Sequence, residues 1–538
     1  MSNFKLCILA AGKGTRNQSI EGLHKCLLPV GNKPVISHIL DRFPKHVPVI
    51  IALGWKAQQV KTYVNKVHAD RDITYVEVDN FENIESSTAY RYPGPAGPGY
   101  SLLSCEEYLD SPFIFTAADT IIDPGISFKK LNKDWVGVCN VKEDESHKYC
   151  LVKISENKLL EKFYYGCGKN SLAFTGIAGI HDYKTFWKSL HNSYTINGEH
   201  QVLNGFDELE NIHIKKMNWH DTGNEESYEK TKEIYPNNIA IEKDNEAIFI
   251  DNGYVIKYFS NKSKSQNRIK RHQELTECVP KICKINENMF CYKFIDGEKL
   301  SDIQDDTVLR YFFNDYEKKF RKQINDFDSN FFKKNCQAMY KEKTTSRIKS
   351  FIGSPIDNIK IVNGIHVETI EEMISKINWD KIYEQAIPSR FHGDMQPENI
   401  IIDSQNKFYY IDWRESFGLS LDVGDAYYDL GKLYHALVIS NSLILGGNYE
   451  IRFSKNQSKA EIQFSIKNNL NNLISHLKNY CEREGYSFKH VRLIGILNYL
   501  NIACLYSTFN NGKYGDFLFL LGKKMLSELF SEGYYGSK

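Results

Sequence analysis

The sequence predicts two unlike domains in tandem: a layered α/β domain, then a lobe of short antiparallel strands leading into a helical remainder. Three observations carry this. The chain has 538 residues, whereas single hydrophobic cores rarely grow past about 250–300 residues. Short β-rich runs alternate with helical patterns as far as Ile234, the signature of a layered α/β domain. Past Tyr235-Pro236-Asn237-Asn238, a linker by composition, the pattern changes, and no internal repeat relates the two halves. The expected domains are residues 1–236 and 237–538, the second with a small lobe over about 237–300 and a helical lobe over about 301–538.

In order along the first domain, Phe4–Ala10 reads as a buried strand, Pro34–Phe43 as a helix and Pro48–Leu53 as a strand. A helix over Ala57–His68 follows, then apolar strands at Ile73–Val78, Phe113–Thr116 and Trp135–Val141. Tyr92–Tyr100 holds three prolines and three glycines, which only a loop accommodates. A polar helix, Glu225–Ile234, closes the domain. In the second, Ile239–Ile241, Ala247–Ile250 and Tyr254–Phe259 read as three short antiparallel strands, with turns at Asp244-Asn245 and Asp251-Asn252-Gly253. From about Asp302 helical periodicity dominates.

Composition narrows the class. Net charge is +1, with 42% hydrophobic and 25% charged residues, which argues against a dedicated nucleic-acid surface. Twelve cysteines without a CxxC pair read as reduced thiols, not as a zinc site. The apolar run Leu6–Ala11 is too short for a signal peptide, and no run approaches the ~18 apolar residues of a spanning helix. The expectation is a cytoplasmic protein without membrane insertion.

The strongest early motif is Leu9-Ala10-Ala11-Gly12-Lys13-Gly14-Thr15-Arg16, followed by Lys25-Cys26-Leu27-Leu28-Pro29-Val30. A strand feeding a small-residue loop lets backbone N–H groups face a phosphate chain, with Arg16 and Lys25 adding charge. It is neither a Walker loop nor a dinucleotide fingerprint. Here the chain resembles the sugar-phosphate nucleotidyltransferases and their choline-phosphate cytidylyltransferase relatives, over roughly its first 230 residues. His24-Lys25 stands where that family usually has Pro-Lys.

The resemblance implies a Rossmann-like domain in which Asp119, of Ala117-Ala118-Asp119, and Asp221, of Trp219-His220-Asp221-Thr222-Gly223, hold Mg²⁺. Gly97-Pro98-Gly99 would cradle the base, and Glu161-Lys162 with Thr175-Gly176 would touch the phosphorylated substrate. The implied chemistry joins two anions: a substrate phosphate attacks the α-phosphorus of a nucleoside triphosphate and expels pyrophosphate. Such a site needs cations and in-line positioning more than a protein nucleophile. Lys25 would offset charge near the α-phosphate, while Arg16 and the loop hold the β/γ end.

The second motif is His392-Gly393-Asp394-Met395-Gln396-Pro397-Glu398-Asn399, with Asp412 thirteen residues after Asn399. Aspartate, asparagine five later, then aspartate at the end of the next strand is the arrangement of a kinase fold. Asp394 would orient the substrate hydroxyl, Asn399 and Asp412 would hold Mg²⁺, and Lys257 would reach the ATP phosphates. Glu274 is the preferred helix partner of that lysine, with Glu277 as rival. His-Gly-Asp together with Asp-Trp, Asp412-Trp413, resembles the aminoglycoside phosphotransferase and choline kinase family over about residues 240–538. That resemblance implies a bilobal, protein-kinase-like α+β domain using ATP.

Together the motifs predict a bifunctional enzyme. The kinase phosphorylates a small sugar or alcohol, and the nucleotidyltransferase couples the phosphate to CTP or another nucleoside triphosphate. The activated donor would serve surface polysaccharide synthesis. A sugar 1-phosphate is slightly favoured, with choline or ethanolamine and CTP as the alternative. A further alternative pairs an active nucleotidyltransferase with an inert kinase-fold scaffold. The family resemblance also admits a homo-oligomer.

Overall fold

The computed structural model describes residues 3–79, 96–125, 128–169, 171–192, 195–196, 198–236, 245–321, 324, 326–440, 443–444, 446–507 and 509–534. The strand expected at Ile239–Ile241, linker residues Asn237 and Asn238, Asp244 of the following turn and Tyr92–Pro95 of the proline-rich loop lie outside the described residues. Packing divides the chain into two units: Met1–Lys262 with Cys283–Phe294, and Ser263–Ile282 with Ile295–Lys538.

The first unit is built on a mixed sheet. Lys5–Ala10 lies between Val49–Leu53 and Phe113–Ala117, parallel to both, and Ile73–Glu77 extends the parallel part. The central strands are covered on both faces and must be apolar, which is why Val49–Leu53 and Phe113–Ala117 read as continuous hydrophobic stretches. This parallel half is Rossmann-like. The helix Ala57–Val67 buries Val60, Tyr63, Val64 and Val67, an apolar stripe at helical spacing. Beyond Phe113–Ala117 the sheet turns antiparallel through Leu172–Ile180, Leu151–Ile154 and Leu160–Tyr164. Trp135–Asn140 pairs with Leu172–Ile180 and with His213–Lys216. A separate pairing of Thr120–Ile122 with Trp219–Asp221 sets Asp221 opposite Thr120. It brings together two segments a hundred residues apart.

The packing boundary differs from the division expected at 236/237. The strands Glu246–Asp251, Tyr254–Phe259 and Met289–Lys293 form one sheet, and it packs within the first unit. Phe249, Ile256, Tyr258, Met289 and Cys291 join the same buried cluster as Leu6, Ile8 and Val64. Polar ties reinforce the join: Tyr63 Oη donates to Asp251 Oδ2 at 3.0 Å and Tyr258 Oη to the Glu21 carbonyl at 2.9 Å. The small lobe expected over about 237–300 is thus not a compact body of its own.

The second unit is mainly helical. Ala426–Val438 is buried along its whole length, and Phe488–Ala503 along most of it; Asn468–Glu484 and Lys513–Ser531 flank them. The hairpin Ile400–Ile402 with Phe408–Tyr410 carries the second motif, and Glu298–Lys299 pairs with its first strand. Helical dominance after Asp302 needs one correction: Tyr449–Phe453 and Lys459–Phe464 form an antiparallel pair, joined by Ile361–Val362. The period-2 alternation of Lys-Ala-Glu-Ile-Gln-Phe is the strand signal there. Among the described residues, no helix is long and apolar enough to cross a membrane.

Candidate active site

The loop after Lys5–Ala10 turns on Gly14, whose φ of +64° is the left-handed region glycine tolerates. A Cβ there would lie 2.8 Å from the Lys25 side chain. Glycine therefore lets the loop close over that lysine. Lys25 Nζ sits 2.8 Å from Asp119 Oδ2, with each side chain only 17% exposed. His24, beside it, is buried and bonds the Ala10 carbonyl through Nε2 at 3.1 Å, which pins the lysine segment under the loop strand. Burial, aided by the Lys25 charge, lowers the His24 pKa to about 3, so the imidazole is neutral.

Asp221 is placed beside Asp119 by the short strand pairing. The Thr222 N–H and hydroxyl both donate to the Asp119 carbonyl at 3.0 Å, and Asn17 Nδ2 donates to the Thr222 carbonyl at 2.9 Å. A Cβ on Gly223 would come within 3.0 Å of Asp221 Oδ1 and 3.3 Å of Asp119 Oδ2, so the two carboxylates converge there. Their protonation tendencies diverge. Burial raises Asp119, but Lys25 and Arg16 outweigh it and hold the carboxyl below its ordinary range. Asp221 is raised by burial and by the Asp119 charge. Two oxygen-donor carboxylates, one destabilised as an anion by the other, suit a hard divalent cation that keeps water and phosphate ligands. Among the described residues no group of three or more His, Cys, Asp or Glu forms a larger cage.

The remaining candidates of this unit scatter. Arg16 is exposed beside the loop. Gly97 and Gly99 lie where a Cβ would strike the backbone of His200 and Gln201, so both serve close packing at the start of the helix Pro98–Leu103. Gly176, φ +76°, sits where the register of Leu172–Ile180 shifts, against Ala117 and Thr120 beside the Asp119 segment. Glu161 and Lys162 are exposed on a strand, Glu161 pairing with Lys153 at 2.5 Å. Sequence reasoning missed Asn17, and also Tyr149, whose hydroxyl lies 3.5 Å from Asp221 Oδ2. Asn17 follows the loop motif directly, a position a donor-by-donor reading of the loop would have reached.

In the second unit, Asp394 and Asn399 are brought together. Asn399 Nδ2 donates to the Asp394 carbonyl at 3.0 Å and lies 3.3 Å from Asp394 Oδ2; Gln396 Nε2 donates to Asp394 Oδ1 at 3.0 Å. The Ile411 N–H donates to the Asn399 carbonyl at 2.8 Å, fixing Asp412 at the hairpin's end. Asp412 has φ +63°, uncommon for a residue with a Cβ and concentrated at functional sites.

Two residues not named as site residues hold this loop. Asp429 accepts the N–H groups of His392 and Gly393, both at 2.6 Å. Its burial raises the carboxyl to about 7. Arg271, fully buried, donates to the carbonyls of Phe391 at 2.5 Å, Leu421 at 2.8 Å and also Arg414. Lys432 Nζ lies 3.1 Å from Asp394 Oδ1. Burial raises Asp394, but Lys432 outweighs it and holds the carboxyl far below its ordinary range.

The helix Lys262–Glu274 turns Arg268 and Arg271 inward, because their backbone and carboxylate partners lie there; Arg268 is 3.6 Å from Glu415. Glu274 is exposed instead, and Glu277 faces Arg390 at 3.8 Å. Lys257 is buried in the strand Tyr254–Phe259 of the first unit.

Comparison with known proteins bears on the first unit. The profile of the MobA-like NTP transferase domain matches residues 6–133. The bifunctional protein GlmU of Methanococcus maripaludis is 26% identical over 121 residues, 22% of this chain and 25% of that protein. The GlmU sequence of Priestia megaterium is 39% identical over 66 residues, 12% of this chain and 94% of that sequence. The chain thus spans about a quarter of the length of the first of these relatives. Among solved structures, the inositol-1-phosphate CTP transferase of T. maritima is 15% identical with a TM-score of 0.34, covering 45% of this chain and 99% of that one.

Proposed function

We propose that the N-terminal unit, whose residues 6–133 match the profile of the MobA-like NTP transferase domain, transfers a nucleotidyl group from a nucleoside triphosphate to a small phosphorylated substrate. The observation that carries this reading is the Lys25–Asp119 pair beside Asp221, under a loop that closes over the lysine because Gly14 has no side chain. A phosphate oxygen of the substrate forms a bond to the α-phosphorus, and the bond from that phosphorus to the β-bridging oxygen breaks, releasing pyrophosphate. The loop N–H groups and Arg16 hold the departing phosphates. Lys25 offsets the charge that builds at the α-phosphate, from a position fixed before the reaction begins. Asp119 and Asp221 are the residues that would hold Mg²⁺. When bound, the ion neutralises phosphate charge and orients the triphosphate.

A second reading concerns the C-terminal unit and rests on a different observation: the loop Asp394–Asn399, pinned by Asp429 and Arg271, with Asp412 in a left-handed conformation. It supports phosphoryl transfer from ATP to an alcohol. Asp394, kept ionised by Lys432, would orient the hydroxyl and accept its proton as the oxygen bonds the γ-phosphorus and ADP leaves. Asn399 and Asp412 would hold the metal. The two steps in succession would make an activated donor from a free sugar or alcohol.

The test follows pyrophosphate release and ATP-dependent phosphate transfer separately, with each common nucleoside triphosphate and a panel of free and phosphorylated acceptors. A nucleotide-linked product that needs ATP plus one particular second nucleotide supports both readings. Pyrophosphate release from pre-phosphorylated substrates, unchanged in Asp394→Asn and with no ATP-dependent step, would leave the C-terminal unit a scaffold.

A further inference from the structure

We propose that the acceptor pocket of the C-terminal unit takes an anion: an alcohol or sugar that already carries an acidic group, a carboxylate or a phosphate. This rests on the phosphotransfer reading of that unit and names its substrate class.

Positive charge gathers near Asp394. Lys432 reaches its carboxylate. Arg414 follows Asp412 by two residues, and its NH1 donates to the Tyr428 hydroxyl at 3.0 Å. Lys343 Nζ lies 5.9 Å from the centre of the same Tyr428 ring. Lys432 and Arg414 thus bear on the Asp394 carboxylate, and Lys343 joins them from a third segment across the Tyr428 ring. Arg347, one turn from Lys343, adds a fourth positive charge nearby, its NH1 held by the Asn501 carbonyl at 3.0 Å. The acids in reach are few. Glu415 bears on Arg414 but faces Arg268, and Asp429 is taken up by backbone N–H groups.

Among the described residues, neither Lys343 nor Arg414 makes an ion pair. Arg414 Nε is buried with no acceptor at all. The effect on the neighbours is consistent. Burial alone would raise Tyr428, yet Arg414, Lys343 and Lys432 bring its hydroxyl down to about 8. Desolvation, with Arg414 and Lys432 adding to it, lowers Lys343 to about 8.

Tyr428, Glu415 and Asp394 hold the Arg414 guanidinium up, and Asp394 does the same for Lys432 against its burial. The cation short of counter-charge is therefore Lys343; such a cation costs stability and persists where a ligand supplies the missing charge. A carboxylate or phosphate on the acceptor supplies it, and the Arg414 fork suits either in two-point contact. A quaternary or primary ammonium acceptor would instead add a like charge to an already cationic pocket. The charge pattern therefore disfavours choline and ethanolamine.

The test uses the full chain, its nucleotide sites filled with Mg·AMP-PNP so that a γ-phosphate is already in place. Inorganic phosphate is titrated calorimetrically in one arm and acetate in the other, against wild type, Lys343→Gln and Arg414→Gln. The expected result is saturable binding of one anion, weakened about tenfold or more in each variant. AMP-PNP affinity should stay within about twofold and the melting temperature should not fall. Tight phosphate binding points to a phosphorylated acceptor and acetate binding to a carboxylated one. Binding of neither anion by wild type, or equal binding by the variants, would overturn the proposal. So would a parallel loss of AMP-PNP affinity, which assigns the cluster to the γ-phosphate. Failure of the phosphotransfer reading shows separately, as AMP-PNP binding untouched by Asp412→Asn; that outcome overturns the acceptor role while the anion site stands.

Discussion

Lys25 Nζ lies 2.8 Å from Asp119 Oδ2, and the two side chains are equally shielded from solvent. Ninety-four residues separate them in sequence, so the fold alone makes the pair. In the proposed nucleotidyl transfer such a pair would have a second use, because the lysine would wait beside a carboxylate that holds the metal, its charge oriented before substrate arrives.

Lys25→Met is expected to lower the rate of pyrophosphate release by about 10²–10³-fold, the usual cost of removing one preorganised charge-stabilising group. Asp119→Asn should cost a similar factor. The double variant should cost little more than either alone, because groups acting as a unit are non-additive. Steady-state kinetics on the three variants decides this; effects that multiply would mean that the residues act independently.

Gly14→Ala and Gly12→Ala should behave differently although they lie two residues apart. Gly14 needs a positive φ, and its new Cβ would meet Lys25 at 2.8 Å. That substitution should cost roughly 1–2 kcal/mol in backbone strain and pyrophosphate release as well. A Cβ added at Gly12 would meet nothing within 4 Å, so its alanine variant should fold as stably as wild type. Thermal melting paired with the activity assay tests both, and equal melting temperatures for the two variants would contradict the argument.

Much of this was legible in the sequence, and the limits have physical causes. Gly12-Lys13-Gly14 and Asp394 to Asn399 are local motifs whose chemistry depends on neighbours in the chain, so spacing reveals them. Asp429 and Lys432 were not found as site residues because they sit on Ala426–Val438, a helix buried along its length. Composition marks such a helix as core and says nothing of the two positions that face the motif loop. Glu274, which is exposed, shows the converse limit. An acidic residue on a helix looks available for a lysine, but the inward face of that helix is claimed by Arg268 and Arg271. The packing boundary was hidden too, because Phe249 and Ile256 look alike whether their strand covers a lobe of its own or the neighbouring sheet.

Asp429→Ala leaves two N–H groups of the motif loop, those of His392 and Gly393, without their acceptor. Buried donors left unsatisfied cost about 1–3 kcal/mol each, so the variant should lose melting temperature and ATP-dependent phosphate transfer together. Asp429→Asn keeps one acceptor oxygen and should recover part of both. Full phosphate transfer in Asp429→Ala would show that the loop holds its shape without the clamp.

Lys343 ties stability to pH with a definite sign. Its ammonium is lowered from 10.5 to about 8, first by desolvation and then by its cationic neighbours. In the unfolded chain it would titrate near 10.4. The folded state therefore disfavours the charged form: stability from this group is present above the unfolded pKa and lost as pH falls through about 8. At pH 7 the wild type carries the whole penalty. Lys343→Met, which keeps an apolar stem, is expected to be the more stable protein there, by about 1–2 kcal/mol once partial exposure is discounted. The gain should shrink as pH rises past 8 and vanish near 10.5. An anion that fills the pocket should close the gap at neutral pH by stabilising only the wild type. Melting curves of the two proteins between pH 6.5 and 10, with and without inorganic phosphate, test each part. A methionine variant less stable at pH 7, or a gap that widens with pH, would mean that Lys343 already has its counter-charge within the fold.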